Sequence, residues 1–305
     1  MPSFRSFSLS FAACLPCLVA LLPNLLRFSM LLYRTQHGVI LEHEGKHVAP
    51  RDDFESLVNR DDLAAYLLTA LREKPALAPP PPPQNLLPPI GDRQELWAAG
   101  VTYLRSMTAR KEESKEAGGS NFYDKVYHAD RPELFFKATP HRCVGTGSAM
   151  HLRRDSKWMV PEPELTLVIT RTGKVIGYTA GNDLSCRDIE GENPLYLPQA
   201  KTFHRCAALG PAILVSDTLP SPDTGIAITI DRAGSRVFQG STKLSQMKKK
   251  LPDLAQYLFR DNQFPHGCLL MTGTGIVPPN DFTLALGDVV SITIDGVGTL
   301  VNTMA

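Results

Sequence analysis

Pro161-Glu162-Pro163-Glu164 sets two carboxylates two residues apart in a stretch that proline holds extended. Side chains at that spacing in an extended chain share one face, so Glu162 and Glu164 point the same way. An apolar run follows, turns near Thr172-Gly173-Lys174 and returns to Asp183. A hairpin centred between Gly173 and Lys174 lands Asp183 directly across from Glu164. Three converging carboxylates with no His or Cys among them make an all-oxygen ligand set. That set suits Mg²⁺, with Mn²⁺ or Ca²⁺ as alternatives, rather than zinc or copper. An isolated Glu-x-Glu pair reads as a solvated strand face; the prolines, the hairpin and the residues after Asp183 favour a metal site instead.

Those residues, Asn182 to Asn193 and then Gln199-Ala200-Lys201, are dense in polar and charged groups for a segment leaving an apolar strand. Lys201 lies among Ala200, Thr202 and Phe203, where partial desolvation would lower its pKa toward base chemistry; the plain alternative is a surface lysine. Arg187 has two readings, a partner for a substrate carboxylate or an ion pair with Asp188 or Glu190. Other polar features read as structural. No histidine has metal-pair spacing, Lys248-Lys249-Lys250 is a short solvated run, and Gly145-Thr146-Gly147 lacks the strand-to-helix setting of a dinucleotide loop.

Holding such a site requires strands, and the second half of the chain supplies them. Short β runs are predicted over 165–171, 175–182, 226–231, 236–238, 289–295 and 299–302, separated by turn dipeptides such as Ala233-Gly234. One amphipathic helix is expected over 251–259 and a charged one over 106–117. Upstream, two β runs over 31–48 and a helical pattern over 51–73 form a small N-terminal α/β module, residues 30–74. Pro79 to Pro83 forces a stiff linker over 75–91, which leaves 92–305 as a catalytic domain.

The 305-residue chain is 43% hydrophobic and 21% charged with a net charge of +1, so nothing argues for nucleic acid and small molecules are the default partners. Cys14 and Cys17 lie in an apolar stretch away from any redox turn, and the other cysteines are scattered, which fits reduced thiols in the cytoplasm. Residues 1–29 resemble a secretory signal. Pro16 and Pro23 interrupt the run, however, and no small-residue cleavage site follows, so this extension reads as an unused upstream start or a targeting segment, with no membrane span expected.

The motifs P-E-P-E-L, G-Y-T-x-G-N-D-x-S-x-R-D-I-E-G-E-N-P-L-Y-L-P-Q-A-K, A-L-G-P-A-I, G-T-G-I-V-P-P and G-V-G-T-L-x-N, spread from about Trp97 to Asn302, resemble the fumarylacetoacetate hydrolase superfamily. Within it the chain is most similar to the 2-keto-3-deoxy sugar-acid dehydratases. The resemblance implies an α+β, mainly β fold, a mixed β-sandwich roll, and a homodimer or higher homo-oligomer. It places Glu162, Glu164 and Asp183 at the metal, Lys201 as the active-site lysine and Thr274 as a substrate contact. Glu133 matches a further acidic position at the metal, as ligand or proton carrier; a salt bridge to Arg131 or Lys137 is its structural alternative.

One departure bears on chemistry. Hydrolases of the superfamily carry G-x-N-Y-x-x-H, whose His activates water, whereas Gly100 to Ser106 ends in serine. That favours elimination over carbon–carbon hydrolysis. The expected reaction is Mg²⁺-dependent dehydration of a 2-keto-3-deoxypentonate, a 2-oxo sugar acid, to a semialdehyde such as 2,5-dioxopentanoate. Lys201 or Glu133 would remove the carbon 3 proton, and Arg187 and Thr274 would position the substrate. The alternatives are acylpyruvate hydrolysis, dienedioate isomerisation, oxaloacetate decarboxylation, and a sugar-acid binding protein without turnover.

Overall fold

The computed structural model describes residues 30–73, 86–113 and 120–305. The 1–29 extension with Cys14 and Cys17, the proline run, and the end of the helix expected over 106–117 lie outside those residues. From Met30 the chain forms β1 (Met30–Thr35), β2 (Gly38–His43) and β3 (Lys46–Val48), then α1 (Phe54–Val58) and α2 (Leu63–Glu73). The single helix expected over 51–73 is therefore broken at residues 59–62. The break has a structural use. Asn59 Oδ1 accepts the Arg171 N–H at 2.8 Å and Asp61 Oδ1 accepts the Thr170 hydroxyl at 2.6 Å, so the interruption docks on the hairpin turn that the carboxylates depend on.

The middle of the chain contributes β4 (Glu95–Gly100), α3 (Leu104–Glu113), α4 (Ser120–His128), β5 (Glu133–Ala138), β6 (Cys143–Val144), β7 (Ala149–Met150) and β8 (Met159–Val160). The site-bearing hairpin is β9 (Pro163–Ile169) and β10 (Val175–Asp183), followed by β11 (Ser185–Cys186), α5 (Arg187–Glu192), α6 (Leu197–Lys201) and β12 (Ala207–Val215). The remainder is β13 (Gly225–Arg232), β14 (Ser235–Lys243), α7 (Leu251–Leu258), β15 (Cys268–Met271), β16 (Val289–Ile294) and β17 (Gly298–Met304).

Ten of these strands form one sheet in the order β3-β2-β1-β12-β10-β9-β15-β4-β5, with β6 also on β12. A second sheet runs β14-β13-β16-β17-β7, and its alternating Ile226, Ile228, Ile230, Val290, Ile292 and Ile294 are buried. The two sheets pack face to face across β9, β10 and β12, the sandwich the sequence implies. β12 is missing from the predicted strands because Gly210-Pro211 interrupts its apolar run. The N-terminal strands extend the large sheet itself, since β1 pairs antiparallel with β12 through Met30 and Val215. No helix among the described residues is long and apolar enough to cross a membrane.

Candidate active site

Glu162, Glu164 and Asp183 converge, with one carboxylate oxygen from each lying within 4.8 Å of the others, and all three are buried. The register that achieves this differs from the one read from sequence. Glu164 lies across from Gly181, and the Asp183 N–H donates to the Glu162 carbonyl at 3.0 Å. The turn closes over 170–174, where the Gly173 N–H donates to the Thr170 carbonyl, so its centre precedes the expected one. That displacement alone would throw Asp183 to the opposite face. A bulge between Val175 and Gly177 restores an even shift of two residues, and the three acids share a face again. The other face of this hairpin turns toward the second sheet, since Asn182 Nδ2 contacts Met150 Sδ of β7 at 3.3 Å.

Buried cations surround the acids. Lys201 Nζ lies 2.6 Å from Glu162 Oε2 and 3.3 Å from Asp183 Oδ2, and donates to Ser185 Oγ at 2.6 Å. Lys137 Nζ lies 2.5 Å from Asp183 Oδ1 and donates to the Leu184 carbonyl at 3.0 Å. Arg187 Nη2 lies 3.0 Å from Glu162 Oε1. Burial would raise the Asp183 pKa, but the ammonium groups of Lys137 and Lys201 outweigh it and hold the carboxyl below its ordinary value. Arg187 is pushed down to about 9 by burial and then by the neighbouring charges of Arg110 and Arg105.

Glu164 differs from its two partners. Its hydrogen-bond donor is the Gly273 N–H at 2.6 Å, and burial together with Asp183 and Glu162 pushes its pKa well above the carboxylate range. A buried, all-oxygen cluster in which one acid leans on a backbone amide fits a hard divalent cation, which Glu162, Glu164 and Asp183 could hold. Gly273 must be glycine. Its φ is +93°, and a Cβ there would stand 2.0 Å from Thr102 Oγ1.

The cavity at the triad measures about 10 Å³ and is lined also by Gly100, Ser106, Arg110, Phe135, Lys201 and Thr274. Thr274 is buried, with its hydroxyl hydrogen-bonded to the Ile276 backbone at 3.1 Å and 3.2 Å. Glu133 reaches over Gly100, where any Cβ would meet its Oε2 at 2.0 Å, and that buried oxygen has no hydrogen-bond partner among the described residues. Neither structural partner suggested for Glu133 takes it up among the described contacts. Arg131 lies over the Tyr257 ring and Lys137 serves Asp183. Arg187 likewise pairs with Glu162 rather than with Asp188, which accepts from Ser156 and Lys157, or Glu190, which pairs with Arg110.

Lys137 and Ser185 are absent from the site expected from sequence, as are Phe135 and Arg110 on the cavity wall. Lys137 is the third member of the alternation Glu133, Phe135, Lys137 on β5, and Ser185 is the middle of Asp183, Ser185, Arg187. Period-two spacing from the assigned residues was the available signal in both cases.

Comparison with known proteins agrees with this geometry. Residues 101–305 match the fumarylacetoacetate (FAA) hydrolase C-terminal family. The chain is 47% identical over 213 residues to 2-dehydro-3-deoxy-D-arabinonate dehydratase of Saccharolobus solfataricus, covering 69% of this chain and 72% of that protein. It is 48% identical over 214 residues to a "Probable 2-keto-3-deoxyxylonate dehydratase" of Haloferax volcanii, covering 70% and 73%. A solved structure of 2-keto-3-deoxy-D-arabinonate dehydratase complexed with magnesium and 2,5-dioxopentanoate superimposes with a TM-score of 0.73 at 35% identity, over 90% of this chain and 98% of that one. Family match, sandwich fold and buried acidic triad together make this chain a member of the fumarylacetoacetate hydrolase family.

Proposed function

We propose that the chain is a magnesium-dependent dehydratase that converts a 2-keto-3-deoxypentonate to 2,5-dioxopentanoate. The observation that carries this reading is the buried Glu162, Glu164 and Asp183 cluster sharing one cavity with Lys201, in a chain nearly half identical to dehydratases of such acids. Magnesium held by Glu162, Glu164 and Asp183 would supply the Lewis acidity that makes the carbon 3 hydrogens of a 2-oxo acid acidic. Lys201 and Glu133 are the proton carriers of the proposal. Lys201 Nζ is fixed by Ser185, Glu162 and Asp183, and Glu133 presents beside Gly100 a buried oxygen that has no partner among the described residues. Thr274 contacts the substrate from the Gly273 loop, and Arg187 orders Glu162 while contributing positive charge for the substrate carboxylate.

The chemistry closes without a redox partner. Loss of the carbon 3 proton and the carbon 4 hydroxyl releases water and forms a carbon 3–carbon 4 double bond. Proton transfers then turn the carbon 5 alcohol into the aldehyde, and Lys201 and Glu133 end as they began. Hydrolysis of an acylpyruvate is the competing activity, and Ser106 lines the cavity at the position where hydrolases carry their water-activating His. The four described cysteines are free and buried, which supports a cytoplasmic location, and a homodimer belongs to the same proposal.

Purified protein assayed with Mg²⁺, Mn²⁺ or Ca²⁺ against 2-keto-3-deoxypentonates, oxaloacetate and acetylpyruvate decides the matter. Dehydration of the pentonate, abolished by chelator and restored by Mg²⁺, is the expected result. Cleavage of acetylpyruvate without pentonate dehydration would overturn it.

A further inference from the structure

α3 turns two residues toward the cavity, Ser106 and Arg110, four positions apart and therefore on one helix face. Ser106 is used locally, donating to the Tyr103 carbonyl at 2.9 Å and accepting the Tyr103 N–H at 3.3 Å. Arg110 is 4% exposed and ion-paired with Glu190 of α5, itself 1% exposed. Burial works against a guanidinium charge, but the carboxylates of Glu162 and Glu133 near it favour the charged form. The helix thus presents a fixed cation, and no base, to the place where the substrate must lie. A guanidinium keeps its proton at any working pH, so it can neither take the carbon 3 hydrogen nor act as the acid. It can donate hydrogen bonds to an oxygen that gains negative charge.

We propose that Arg110 is a catalytic residue that holds the 4-hydroxyl of the substrate as it departs, and that Glu190 is the positioning residue that aims it. This rests on the dehydratase reading above. The electron pair of the carbon 3–hydrogen bond becomes the new double bond, and the carbon 4–oxygen bond breaks. The oxygen leaves as water carrying the proton taken from carbon 3. Glu133, which reaches over Gly100 on the wall of the cavity that Arg110 also lines and whose Oε2 has no hydrogen-bond partner among the described residues, takes that proton and returns it to the leaving group. Arg110 contributes hydrogen bonds and no proton. The departing oxygen is therefore neutralised in place, which a cavity lined by carboxylates would otherwise oppose.

Two rates measured on Mg²⁺-loaded enzyme separate this role from a structural one. The first is dehydration of the 2-keto-3-deoxypentonate. The second is exchange of the carbon 3 hydrogens of 2-oxopentanoate in D₂O, followed by proton NMR; this probe has the chelating end but no hydroxyl to lose. Arg110→Gln is expected to slow dehydration about 100-fold or more while exchange stays within about 3-fold of wild type. Arg110→Lys keeps the buried charge without the fork, and serves if the glutamine variant fails to fold; it is expected to keep exchange and lose about 10-fold in dehydration. Glu190→Gln should lower kcat for dehydration with KM and exchange unchanged, and Glu190→Asp should recover part of it. Parallel loss of both rates, or unimpaired dehydration in the Arg110 variants, overturns the assignment. A wild-type enzyme that exchanges 2-oxopentanoate but dehydrates no 2-keto-3-deoxy acid sinks the dehydratase reading, and this proposal with it.

Discussion

Glu164 carries the unbalanced charge of the site. Glu162 has Arg187 and Lys201 beside it, and Asp183 has Lys137 and Lys201, whereas Glu164 leans on the Gly273 amide. Burying a third carboxylate among two others is unfavourable to the metal-free protein and favourable once a divalent cation arrives. Replacing Glu164 by Gln should therefore raise the stability of metal-free protein by about 1–2 kcal/mol, because the amide requires neither the buried charge nor the proton uptake that a raised carboxyl pKa entails, and still accepts the Gly273 N–H. The same variant should lose the stabilisation that wild type gains from Mg²⁺, about 2.7 kcal/mol at 100-fold above the dissociation constant. Thermal melts with and without Mg²⁺ measure both quantities, and a destabilised metal-free variant that still responds fully to Mg²⁺ would contradict the assignment of Glu164 as a ligand.

Among the elements, the β9–β10 hairpin and β5 do the positioning. The acids were legible as a group because spacing and parity survive small register errors: a slip of two residues keeps every side chain on its face. The bulge itself was not legible, since nothing in Val175-Ile176-Gly177 announces an extra residue before the partner strand is known. β5 teaches the complementary lesson. Lys137 is fully buried with its ammonium on Asp183 and on the Leu184 carbonyl, yet in sequence it is one lysine after an apolar pair. Changing Lys137 to Met deprives a buried carboxylate of a cation and leaves two backbone carbonyls without a donor. The expected cost is about 3 kcal/mol in denaturant unfolding, together with weaker catalysis. A variant as stable as wild type would show that Lys201 alone suffices to hold Asp183.

For the whole molecule, the N-terminal segment and the catalytic domain share a sheet. β1 covers the edge of β12, and Phe54, Leu57, Leu63 and Leu67 join the same buried core as Leu165 and Ile213. A chain begun at residue 86 would expose that edge and uncover the apolar surface those side chains fill. Its expected behaviour is aggregation or low soluble yield, read by size-exclusion chromatography beside the chain begun at Met30. A monodisperse, active fragment from 86 onward would instead make the N-terminal segment dispensable.

The sequence alone determined the family, through its long motifs, and pointed to the oxygen-ligand set and the mainly β class through local matters: which side chains carry oxygen, how proline restricts the backbone, and which residues alternate. It also pointed to Lys201, through its half-apolar setting and motif resemblance, and to Glu133, through resemblance, as the proton carriers proposed above. Tertiary structure decided which cations stand against which acids, where the register falls, and that Arg110 on the cavity wall pairs with Glu190. Those outcomes depend on packing between segments far apart in the chain, and a buried charge declares its partner only when the surrounding protein has excluded water.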